Sequence, residues 1–104
     1  MRTTNIETFP DEEVSEVLGV VRGNTVRARN VGRDFTQSLR QIIGGELKAY
    51  SKLLTETRDQ AMERMEQEAE DMGADAVLNV RFTTSQVTRN SAEILAYGTA
   101  VKLE

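Results

Sequence analysis

The 104-residue chain contains no cysteine and no histidine. Without cysteine there is no disulfide and no thiol chemistry. Without histidine the commonest general base and the commonest transition-metal ligand are both missing. No Ser-His-Asp or Cys-His arrangement can be assembled, and no Walker-type loop is present. Proline occurs once, at Pro10, in a Phe-Pro-Asp-Glu turn signal. No run approaches the ~18 apolar residues of a membrane span, and no signal-peptide pattern opens the chain. A cytoplasmic protein with no membrane partner is therefore expected. Positive charge is also short: the net charge is −4. Arg22, Arg27, Arg29 and Arg33 form a local cluster, but a general nucleic-acid binder needs a basic surface to neutralise phosphates, so no nucleic-acid partner is expected. These absences leave the reaction and the ligand undisclosed. They point away from an enzyme, and no cofactor is expected.

What is present is organised around residues 44–82. Leu47, Tyr50, Leu54, Thr57, Ala61, Met65, Ala69 and Met72 recur at steps of three or four, the spacing that keeps side chains on one face of a helix. The residues between them are mostly charged, and no glycine or proline interrupts the run. The pattern predicts a helix over 46–72, closed by Gly73. At 1.5 Å per residue it would be about 40 Å long, against a radius of gyration of about 13 Å for a compact domain of this size. Such a helix overhangs, bends or packs on a neighbour. An Ala69→Glu substitution on its apolar stripe is expected to weaken assembly.

Strands are predicted on both sides of this helix. Residues 1–7 read as a short edge strand. Residues 14–28 read as one long kinked strand or as a hairpin turning at Gly23-Asn24, with Gly19 marking a bulge or a close approach. Residues 75–84 alternate, placing Ala76, Leu78, Val80 and Phe82 on one face. Residues 92–103 alternate too, and one face (Ile94, Ala96, Gly98, Ala100) is small enough to let a helix or strand come close. A first, shorter helix is predicted over 31–43, capped by Asn30 and followed by the Gly44-Gly45 elbow. One domain over 1–104 is expected. The fold class is α+β, a short antiparallel or mixed sheet with a short helix and one long helix packed on it.

Two constellations could carry chemistry. Around the elbow stand Arg33, Asp34, Ser38, Arg40, Tyr50 and Arg58. They could bind an anion with help from a helix N-terminus, or form ion pairs between subunits. The assembly role is favoured, because the long helix already calls for a partner surface. On the long helix, Asp59 with Glu63 and Glu66 with Glu70 are four residues apart and share a side. Such pairs could hold Ca²⁺ or Mg²⁺, although a solvated acidic face is the commoner meaning.

Several segments taken together resemble a known family. They are Arg33-Asp34-Phe35, Ser38-Leu39-Arg40, Gly44-Gly45, Tyr50 to Leu54, Arg58, Ala61, Ala69, Gly73-Ala74-Asp75-Ala76-Val77 and Tyr97-Gly98-Thr99-Ala100-Val101. In order and spacing they resemble the YbjQ-like family over nearly the whole chain. The resemblance implies a small α+β subunit of the dodecin-like kind, assembled with copies of itself into a ring, a homopentamer. It implies no enzymatic activity. The family carries a heavy-metal-binding label. Soft metals take thiolate and borderline ones imidazole, and neither occurs here. Met62, Met65 and Met72 lie within the helix and read as packing groups. No metal ligand is carried over, and the metal residues stay unknown.

Overall fold

The computed structural model describes residues 1–27, 48–88 and 91–104. The described elements are β1 (Arg2–Thr3), β2 (Val14–Arg27), α1 (Lys48–Asp71), β3 (Ala76–Thr88) and β4 (Ser91–Leu103). The predicted helix over 31–43 and the Gly44-Gly45 elbow lie outside the described residues. The strands form one sheet in the order β1-β3-β4-β2. Both β2 and β3 run antiparallel to β4, while β1 pairs in parallel with β3, so the sheet is mixed. Because β2 and β3 share a direction, the chain must cross over between them, and α1 lies on that crossover. β4 then inserts between the two strands, giving a split β-α-β unit.

Helix α1 covers one face of the sheet, over β2 and β4, and barely reaches β3. Its apolar stripe is used as the spacing predicts: Thr57, Ala61, Met65 and Ala69 are buried. They meet Val21, Val77, Val80, Ile94, Ala96 and Ala100 in the main core. The small face of β4 is thus the face under the helix. Gly23 supplies the closest approach, since a Cβ there would collide with the backbone of Ala61 and Met65. Of the two alternatives for residues 14–28, one long strand and a hairpin at Gly23-Asn24, the first is found. β2 is one continuous strand, and residue 23 is glycine because the helix sits on it. Ala69 is fully enclosed by its own subunit. A glutamate there would bury a carboxylate in the core, so Ala69→Glu reports on folding rather than on assembly.

The helix ends as Gly73 predicts. Gly73 takes a φ of 80°. Its N–H donates to the carbonyl of Glu70 at 2.9 Å, and Ala74 N–H donates to Ala69 at 3.0 Å. This is the Schellman pattern, which satisfies carbonyls of the last turn. Asp75 then ties two strand ends together. Its N–H donates to Val101 O, and its Oδ2 accepts from Leu103 N–H, both at 2.9 Å.

The alternation expected for β3 breaks at a bulge. The register with β4 shifts between Leu78 and Arg81, and Asn79 has a φ of 54°. Val77 and Val80 therefore share the helix side, while Ala76 and Leu78 point to the other face. The N-terminal residues fasten the bulge. Asn79 N–H donates to Ile6 O, Val80 N–H donates to Thr4 O, and Thr4 N–H donates to Val77 O. The Arg81 guanidinium donates to Asn5 O at 2.6 Å. On this second face Phe9 folds back over Ala76, Leu78 and Val101, with Val14 and Leu103 beside them.

Candidate functional site

The residues singled out around the elbow are not brought together by what is described. Arg33, Asp34, Ser38 and Arg40 lie outside the described residues. Tyr50 falls in the first turn of α1, and its side chain also lies outside them. Arg58 is exposed, and its guanidinium donates to Thr55 Oγ1 one turn earlier at 3.3 Å. Tyr50 and Arg58 are eight residues apart, which separates them by about 12 Å along the helix axis.

The helical carboxylates face solvent. Asp59, Glu63 and Glu70 are exposed, and Glu66 is half-buried. Among the described residues no three Asp or Glu side chains gather where a metal ion could be held. The sulfur donors do not gather either. Met65 is sealed in the core, Met62 packs against it, and Met72 lies near Gly19, whose φ is 138°. The sequence thus offers a heavy metal no thiolate and no imidazole, and among the described residues no cluster of Asp or Glu that could hold one.

Residues 8–14 and Glu104 frame an open cleft of about 670 Å³ near the chain ends. Its rim is acidic, with Asp11, Glu12, Glu13 and Glu104. Arg2 answers part of that charge. Its guanidinium pairs with Asp11 at 3.3 Å and Glu12 at 3.5 Å, and lies 3.9 Å above the Phe9 ring. All three charged groups are well exposed, so these pairs contribute little stability.

The most distinctive surface is the part of the open sheet face that Phe9 does not reach. Pairs directly opposite across a strand pair share a face. The register sets Val17 opposite Val101, Val20 opposite Thr99, Arg22 opposite Tyr97 and Val26 opposite Glu93. These side chains therefore stand together, away from the helix. Val17 is 66% exposed, Val20 60%, Val26 51% and Tyr97 38%. The alternation of β4 gave this face in advance. The exposure of β2 valines in a row was not legible, because a valine every third residue fits a buried strand equally well. One buried group also stands out on the helix side. The Thr25 side chain is 97% covered and its Oγ1 has no hydrogen-bond partner.

With the geometry in place, three comparisons locate the chain. The split β-α-β sheet with one covering helix is shared with the crystal structure of a protein of unknown function from Pediococcus pentosaceus, of the DUF74 family. The match has a TM-score of 0.60 and covers all of this chain and 98% of that one, at 13% identity, so it speaks for the fold alone. The family model described as "putative heavy-metal-binding" matches residues 1–104, and the chain belongs to this YbjQ family. It is 63% identical to a UPF0145 protein of Halorubrum lacusprofundi over 99% of both chains. It is 56% identical to one of Archaeoglobus fulgidus (96% of this chain, 93% of that one) and 51% identical to one of Hahella chejuensis over the full length of both. No helix among the described residues is long and apolar enough to cross a membrane.

Proposed function

We propose that this chain is a single-domain, non-enzymatic subunit that assembles with copies of itself into a closed ring in the cytoplasm, with the open sheet face as the contact. The exposed row of Val17, Val20, Val26 and Tyr97 carries the reading. Val17, Val20 and Tyr97 stand close together on this face, with Val26 set apart beyond Arg22 and Asn24, and an exposed apolar cluster supports an interaction site. The subunit's proportions support it. Its radius of gyration is 16.7 Å, against about 13 Å for a compact domain of this length. An elongated small domain buries little of its own surface, and a second copy supplies the missing cover. Five copies is the ring size that the family resemblance implies. A small ligand held between subunits by Arg33, Asp34, Ser38, Arg40, Tyr50 and Arg58 would be the cargo of such a ring.

Native mass spectrometry on untagged protein, purified without chelator, tests this directly. One defined multiple of the subunit mass is expected. A monomer at micromolar concentration would falsify the reading. A reproducible extra mass on the oligomer identifies a bound ligand or metal.

A further inference from the structure

Strand β2 ends the sheet, and among the described residues no strand pairs with its outer side. A long free edge is a template for strand addition, and natural proteins guard such edges. The backbone directions can be followed across the sheet. Val77 gives its carbonyl to Thr4, so it faces away from β4. Alternation through Val77↔Ala100 and Gly19↔Ala100 then turns Gly19, Val21, Gly23 and Thr25 toward β4. It leaves the N–H and C=O groups of Val20, Arg22 and Asn24 pointing outward.

One of those outward groups is already taken. The Arg64 guanidinium reaches from α1 and donates to Asn24 O at 2.6 Å. The Asn24 side-chain Nδ2 in turn donates to Glu93 Oε2 at 3.1 Å. The lower half of the same edge is interrupted by two register shifts, between Val14 and Glu16 and between Val17 and Gly19. Such bulges twist an edge away from pairing. Gly19 to Arg27 is thus the straight part of the edge, and Arg64 is the charged group placed across it at Asn24.

We propose that Arg64 guards the β2 edge, keeping it from pairing with the extended strand of a second copy of this chain. The second copy is the fitting partner because the straight stretch carries Val20, Val21, Thr25 and Val26, β-branched residues that suit pairing with the same strand of another copy. In this arrangement copies meet through the sheet face and are refused at the sheet edge. The guard does not depend on the ring, since it holds equally for a subunit that stays monomeric.

The test compares wild type with Arg64→Ala by sedimentation and light scattering over a concentration series. Arg64→Ala is expected to add mass beyond the wild-type species, by about twofold or more at the highest concentration. Its Val20, Arg22 and Asn24 amides should become protected from hydrogen exchange. Adding Arg22→Pro removes an outward N–H without breaking a ladder bond and should return the mass to the wild-type value. An Arg64→Ala variant of wild-type mass at every concentration overturns the guard. So does added mass with those three amides still exchanging freely, a readout that stands even where the proline variant does not fold. A monomeric wild type would refute the ring and leave this comparison intact.

Discussion

On the helix side of the sheet, Val21, Ala96 and Ala100 are sealed under α1. One residue further along the same strands, Val20 and Tyr97 are 60% and 38% exposed. The strands are common to both faces, so their β propensity cannot explain the contrast. What differs is the size of the side chains and what arrives to cover them. Beside Val21 the helix side is small at Gly23, Ala96 and Ala100, and there a helix backbone can lie almost on the sheet. The open side carries valine and tyrosine, and among the described residues Phe9 and its turn come back over one end of it. A face built of small residues is already matched to a partner within the chain. A face of large apolar residues left uncovered is where the assembly proposed above would be made.

The contrast can be broken most severely at Gly23. Gly23→Val should push the helix off the sheet and cost about 4 kcal/mol or more, since backbone rather than a flexible side chain stands in the way. Chemical denaturation checks it, and a variant of unchanged midpoint would mean that α1 is not seated there. Met65→Ala comes next, at about 3 kcal/mol, because the fully buried side chain leaves a cavity that the flanking alanines cannot fill. A smaller effect of opposite sign is expected at Thr25. Thr25→Val removes a buried hydroxyl without a partner and should gain about 1 kcal/mol. A loss of stability there would show that the hydroxyl is bonded in solution.

The smallest effect on the subunit, and the sharpest on assembly, is expected from the open face. Val17→Ser with Val20→Ser should change the subunit's own stability by no more than about 0.5 kcal/mol, as surface changes usually do. Protection of α1 amides from exchange would stay as in wild type, while the proposed oligomer, followed by native mass spectrometry, would dissociate. If the oligomer survives both serines, its contact lies elsewhere. Arg2→Ala, which removes an exposed ion pair and ring contact, should shift stability by about 1 kcal/mol at most and less at high salt.

Much of this architecture is legible in the chain. The three-four spacing from Thr57 to Ala69 gives α1, Gly73 gives its end, and the small-large alternation of residues 92–103 gives the two faces of β4. The β3 bulge is not legible, because nothing in Leu-Asn-Val marks Asn79 as the residue of positive φ. That conformation is held by Thr4 and Ile6, more than seventy residues earlier. Gly23 is misleading for a related reason. Gly-Asn inside a β run has the form of a turn, and only the helix lying across it shows that the missing side chain serves packing. Of the candidate set around the elbow, Tyr50 and Arg58 stand about two turns apart on α1, and Arg33, Asp34, Ser38 and Arg40 lie outside the described residues.

By itself the sequence determined where the helix and the strands of the described residues lie, which helix face is apolar, and that thiolate and imidazole chemistry are absent. Those properties follow from local spacing and from residue identity, and need no contact between distant parts. The tertiary structure decided the rest: the sheet order, the bulge at Asn79, the closure of the helix stripe within one subunit, and the reach of Arg64 to the carbonyl of Asn24. Each of these depends on groups far apart in the chain meeting at a fixed distance, which no periodicity along the chain encodes.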